Sequence, residues 1–274
     1  MTRLLIIGSS HVGALKNAEE TFLAGRPDLA LDFFGLRAPA FLKSRMDAEG
    51  VFHPPEQDED GRDLILKANG ALTVATAGYD HVMLIGYRFG FPEVASLLER
   101  YDILGLTDAG HPATIDLVLV EDMIDTMISA SLDDVLAALA PANRSLTLCL
   151  APYPSKSIAS RAPRMELARE LVAFWDHPGA SHVFEMWLSR LRSQIEAAGH
   201  TLLEQPYRTV AGPFATKPMF ARAPDNFDGS AMKGTDHRHM NAEFGLTVLT
   251  SFARMIKNTS EAPRPAETPI KERI

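Results

Sequence analysis

Short apolar runs alternate along this chain with segments of helical periodicity. The first run, Leu4-Leu5-Ile6-Ile7, gives way to a small, polar turn from Gly8 to Gly13. Residues 14–23 follow, in which Leu15, Ala18, Phe22 and Leu23 recur at helical spacing. The pattern predicts a strand, a tight loop and a helix. Further strands are predicted over residues 29–34, 81–85, 146–150 and 201–203. The second and third run into Gly35 and Gly86, and the fourth is halted by Pro152 and Pro154, whose nitrogens cannot donate to a ladder. Helical spacing marks residues 115–128, 132–139, 165–175, 181–198 and 246–256. Within the first two of these, Ser131-x-x-Asp134 reads as the start of a separate helix. Strands alternating with helices in this way predict a parallel α/β sheet.

Three stretches, residues 37–77, 103–140 and 205–234, interrupt the alternation and read as insertions rather than domains. The third is rich in proline, glycine and aromatics and is expected to be a long loop, a place where lids are often found. Its Phe214, Phe220 and Phe227 either line a pocket or anchor the loop to the core. Trp175 and Trp187 lie on helical segments, where core packing is expected. Beyond Lys257 apolar periodicity stops, and a disordered tail is expected. The expected organisation is thus one domain over residues 1–256 and a tail over 257–274.

Composition narrows the classes of function. The 274 residues are 46% hydrophobic, enough for a sizeable core, and carry a formal charge of −8. That balance offers no broad attraction to phosphate backbones or anionic lipid, so neither nucleic acid nor membrane is an expected partner. No apolar stretch approaches spanning length and the first run is too short for a signal-peptide core, so a cytoplasmic protein is expected. Cys149, the only cysteine, sits inside the apolar run 146–150 and reads as a small buried hydrophobe.

Two segments carry candidate chemistry. Gly8-Ser9-Ser10-His11-Val12-Gly13 lies where a strand gives way to a helix, a place where unpaired backbone N–H groups can stabilise an anion. Three readings compete: a phosphate cradle, a nucleophile turn, or a plain tight connection. The phosphate readings fit poorly, because a Walker loop needs Gly-Lys-Ser/Thr where Gly13-Ala14-Leu15 stands, and a dinucleotide fingerprint needs glycine where Ser10 stands. The second segment is Gly234-Thr235-Asp236-His237-Arg238-His239-Met240-Asn241, just before the last helical stretch. An Asp three residues before a His can hold one ring nitrogen while the other faces a hydroxyl, which assigns a base to His239 rather than His237. The alternatives are a polar turn with a capping Asp, or a metal site on His237 and His239. No further His or Cys cluster completes a coordination sphere, and neither metal nor cofactor is expected.

Together the two segments resemble the SGNH (GDSL-like) hydrolase family, whose first block is Gly-Asp-Ser and whose last is Asp-x-x-His followed by x-Asn. Gly8-Ser9-Ser10 stands at the first and Asp236 to Asn241 at the last. Ser9 replaces the usual Asp, and His11 the usual Leu. The resemblance implies a three-layer α/β/α (flavodoxin-like) fold with a five-stranded parallel sheet, and a catalytic set of Ser10, Asp236 and His239 at its carboxyl edge. It also implies oxyanion donors at two middle blocks. Gly35 stands at one; at the other, Arg88 of Gly86-Tyr87-Arg88 occupies the place of an Asn. Arg88 would then either stabilise the oxyanion or bind a carboxylate on an acidic substrate. The implied activity is hydrolysis or transfer of a small acyl group from an ester, such as an O-acetylated carbohydrate. The alternatives are a non-catalytic glycan- or metabolite-binding protein with an altered site, and a nucleotide-binding α/β protein.

Overall fold

The computed structural model describes residues 1–222 and 236–261, the last three by backbone alone. Five parallel strands form the central sheet: β1 (Thr2–Gly8), β2 (Leu29–Gly35), β3 (His81–Tyr87), β4 (Thr147–Leu150) and β5 (Thr201–Leu203), in the order β5-β4-β3-β1-β2. Both faces of the sheet are covered and the central strands β1, β3 and β4 are buried along most of their length, whereas Asp32 of the edge strand β2 is exposed. Side chains alternate across β1: Leu5 and Ile7 enter one buried cluster, Leu4 and Ile6 the other. The result is the expected three-layer α/β/α fold.

Helices α1 (Val12–Lys16), α2 (Glu19–Leu23) and α9 (Ala242–Glu261) pack together beside one face. The larger core on the other face takes in α3 (Ala38–Leu42), α4 (Glu59–Asn69), α5 (Phe91–Leu97), α6 (Leu117–Leu139), α7 (Glu166–Asp176) and α8 (Ala180–Ala197). Residues 37–77 build no core of their own. Their helices and a small antiparallel sheet (Arg45–Met46, Val51–His53, Val74–Ala75) contribute Phe41, Met46, Phe52 and Ile65 to the main core.

Several local expectations are corrected. The helix expected over residues 14–23 is two short ones, because the chain tightens where Ala18 N–H donates to Leu15 O; both Ala18 and Phe22 are thereby buried. The two helices expected around Ser131 are one, α6, started by the Asp116 side chain on Val118 N–H. Ser131 sits in its interior because its hydroxyl donates back to Ile128 O at 3.0 Å, which removes the need for a cap. The last helix reaches Glu261, five residues into the expected tail, while residues 262–274 lie outside the described set. Within 205–222 a hairpin (Val210–Gly212 with Ala215–Thr216) replaces part of the expected loop.

Phe214 is fully buried among Phe91, Tyr153, Phe174 and Trp187, and Phe220 packs on Phe244, so both anchor the segment rather than line a pocket. Phe227 lies outside the described residues. Trp187 is fully buried with its indole N–H on Phe89 O, whereas Trp175 is only partly buried and donates to Pro213 O. Cys149 is buried and free, and burial pushes its thiol up to about 12. Among the described residues, no helix is long and apolar enough to cross a membrane.

Candidate active site

The strand order places the site. The chain leaves β1 for β2 on one side and returns to β3 on the other, so a crevice opens at the carboxyl ends of β1 and β3, where connections diverge. Ser9 and Ser10 follow β1, and Arg88 follows β3. The strands come close there because Gly8 has no side chain: a Cβ would collide with Ile85 O.

The Asp236–Asn241 loop reaches this crevice by two devices. Gly245 of α9 faces the backbone of Ala14, where a Cβ would overlap the Ala14 carbonyl, so α9 lies directly on α1. The loop itself is pinned by backbone bonds, with Ser155 N–H on His237 O and Arg222 N–H on His239 O, both 2.9 Å. Asn241 fastens its end, donating through Nδ2 to Met219 O and accepting from Phe244 N–H at the start of α9.

Ser10, His239 and Asp236 meet as a hydrogen-bonded chain. His239 Nε2 is 2.9 Å from Ser10 Oγ, and its Nδ1 is 2.7 Å from Asp236 Oδ2. The other carboxylate oxygen accepts from the N–H groups of Arg238 and His239, each at 3.0 Å. Partial burial raises the Asp236 pKa, but those two bonds and the imidazole outweigh it, so the carboxyl is held below its ordinary value. An ionised carboxylate only accepts, so His239 carries its proton on Nδ1 and leaves Nε2 to accept from the Ser10 hydroxyl. Ser10 is exposed, whereas the Asp236 side chain is only 13% exposed, so the chain runs from solvent-facing hydroxyl to sheltered carboxylate.

His237 is turned elsewhere: it is buried, and its Nδ1 is 3.1 Å from Ser157 Oγ. Among the described residues, no group of three His, Cys, Asp or Glu side chains is placed to hold a metal ion.

The oxyanion side departs from expectation. Gly35 N–H donates to Asn69 Oδ1 at 2.7 Å, and Asn69 Nδ2 donates back to Gly35 O at 2.9 Å and to Ile65 O. Asn69 thus clips the end of β2 to α4, and Gly35 has no free donor to offer. Nothing in the local sequence signals this pair, whose members are 34 residues apart. The backbone N–H groups of Ser10 and His11, by contrast, carry no hydrogen bond among the described residues.

Arg88 follows the end of β3 as expected and is exposed, with its guanidinium 5.9 Å from the centre of the Phe91 ring. Partial loss of hydration, and then the neighbouring Arg238, lower its pKa against the opposing carboxylate of Glu93. Two cavities flank the serine turn. One, of about 570 Å³, is lined by Ser10, Phe33, Leu36, Leu64 and Ile65 among others. The other, of about 710 Å³, is lined by Ser9, His11, Gly86 and Arg88 and walled by α6.

Comparison with known proteins yields little. No family model and no curated protein matches the chain. Among solved structures, it is similar to the periplasmic domain of a lipopolysaccharide acetyltransferase from Salmonella ser. Paratyphi A. The identity is 12% and the TM-score 0.41, over 93% of this chain and 83% of that one.

Proposed function

We propose that the protein is a serine-dependent acyl-ester hydrolase or acyl transferase in which Ser10 is the nucleophile, His239 the base and Asp236 its orienting carboxylate. The observation that carries this reading is the continuous chain from Ser10 Oγ through both ring nitrogens of His239 to Asp236, joining residues 229 apart at an open edge of the sheet. A structural polar cluster has no need of an exposed hydroxyl at its head.

In the proposed reaction His239 Nε2 takes the Ser10 proton as Oγ attacks the ester carbonyl. The imidazolium, held by Asp236, then passes the proton to the departing alkoxide and leaves an acyl-Ser10 ester. Water, or a second alcohol in the case of transfer, gives its proton to His239 and attacks that ester, regenerating Ser10. The N–H groups of Ser10 and His11 are the backbone donors available to the oxyanion. With the Gly35 donor engaged by Asn69 and no Asn at position 88, the site has fewer donors than the family pattern. One lost donor typically costs about a hundred- to a thousandfold in rate, so a slow enzyme is expected.

The same feature favours a second reading, a binding protein with a residual site. A fluorophosphonate probe separates the two. Labelling at Ser10, lost in Ser10→Ala and His239→Ala variants that remain folded, supports the enzyme. Folded parent protein that resists labelling and leaves 4-nitrophenyl acetate intact refutes it.

A further inference from the structure

We infer that the cavity beside Arg88 receives the alcohol half of the substrate, and that this half carries a carboxylate. The direction of the leaving alcohol rests on the hydrolase reading; the affinity for a carboxylate does not.

The side is assigned through His11, since His239 itself lines neither cavity. The alkoxide must leave within reach of His239 Nε2 to collect its proton. The His11 ring lies 5.7 Å from the His239 ring, centre to centre, and lines the Arg88 cavity. The other cavity, lined by Ser10, by apolar side chains of β2 and α4 and by the charged Lys16, Arg37, Asp58 and Asp60, is left for the acyl group.

The chemistry is set by groups without partners. Arg88 has no carboxylate within 4.0 Å and no side-chain hydrogen bond among the described residues, and the same holds for the Arg238 guanidinium. The two guanidiniums, both exposed, repel one another through space, and Glu93 offsets Arg88 only from beyond ion-pair distance, which leaves room for an anion beside Arg88. Ser9 and His11 line the same cavity as Arg88, and Ser9 Oγ and His11 Nδ1 are buried polar atoms with no hydrogen-bond partner among the described residues. Ser9 is 1% exposed, and its hydroxyl rests against Gly86, which also lines the cavity; a Cβ at Gly86 would overlap it. Leaving such groups unpaired is costly, and a ligand oxygen would relieve them.

A guanidinium fork matches a planar carboxylate in two parallel bonds, which is the reason for choosing this anion. Glu93 and Asp134 line the same cavity, but neither is within ion-pair distance of Arg88; their carboxylates suit hydroxyl groups elsewhere on the same ligand.

The test uses two esters with the same acyl group, phenyl acetate and 3-acetoxybenzoate, on the parent protein and on Arg88→Gln and Arg88→Lys. Losing a charge-assisted fork is expected to lower the ratio of kcat/KM for the carboxylated over the neutral ester roughly tenfold to a hundredfold in Arg88→Gln, with part of the preference kept in Arg88→Lys. Equal losses on both esters overturn the proposal. In parallel, 3-hydroxybenzoate and phenol are titrated calorimetrically into the parent and Arg88→Gln. If neither ester turns over, the hydrolase reading fails on its own, and the titration decides the subsite. Binding of 3-hydroxybenzoate over phenol that disappears in Arg88→Gln sustains it, and no binding, or equal binding by parent and variant, overturns it.

Discussion

Replacing Asp236 by asparagine is the substitution for which this geometry makes the sharpest statement. One carboxylate oxygen accepts two backbone N–H groups, from Arg238 and His239, and the other faces His239 Nδ1. In Asp236→Asn the amide oxygen is anchored by those same N–H groups, so the NH2 group must face the imidazole. Nδ1 then has to accept, its proton moves to Nε2, and Nε2 can no longer take a proton from Ser10. The wrong tautomer in this role costs about 10⁴-fold in kcat, equivalent to about 5 kcal/mol of transition-state stabilisation. The fold loses little, because both backbone bonds survive. Asp236→Ala inverts the pattern: two N–H groups lose their acceptor, at about 1–2 kcal/mol, while the imidazole regains its choice of tautomer. Measuring kcat on 4-nitrophenyl acetate beside thermal melts of both variants distinguishes the two effects. Asparagine should be the more stable variant and no faster than alanine. Retention of more than about a tenth of parental kcat by Asp236→Asn would remove Asp236 from the role assigned to it.

Two further outcomes are expected. Gly245→Ala puts a methyl group into the Ala14 backbone and should push α9 away from α1, costing about 1–3 kcal/mol and lowering kcat in the protein that remains folded; a variant with parental Tm and rate would show that the α1–α9 contact does not set the position of His239. His11 is held neutral by burial, then by His239 and Arg88, with its pKa lowered from 6.5 to about 3. The unfolded chain therefore takes up a proton as pH falls below 6.5 while the folded one does not. The stability His11 permits is complete above pH 6.5 and declines towards pH 3, by up to about 1.4 kcal/mol per pH unit. His11→Leu should flatten the fall of Tm between pH 6.5 and 4, and an unchanged slope would sink this account.

Local signals carried much of the fold into view. The sheet strands were legible because the central ones are buried on both faces and therefore apolar, and Gly35 closes β2; Gly86, expected to end β3, lies inside it at a register shift, and the strand runs on to Tyr87. The pairing of Asp236 with His239 was legible for the same reason, since a spacing of three residues within one loop is itself a distance constraint. The failures came where a local signal was overruled by something distant or already satisfied. Ser131 resembles a cap, yet inside α6 its hydroxyl bonds to the preceding turn and the helix continues. Gly35 resembles a free donor, yet Asn69, on a helix 34 residues away, has taken its N–H. Phe214 resembles a pocket lining, yet five aromatic rings close around it.

The order of residues supplies the inventory: a strand-turn-helix bearing Ser10, a loop holding Asp236 and His239 in register, and an arginine where the pattern it resembles has an amide. Packing sets the 2.9 Å between Ser10 Oγ and His239 Nε2, because that distance depends on α9 lying against α1 through Gly245. It also decided that Arg88 and Arg238, 150 positions apart, repel one another through space with no ion pair of their own among the described residues. Periodicity and spacing describe a chain's neighbours along its length, whereas charge and proton transfer act through space, and only packing brings such distant residues together.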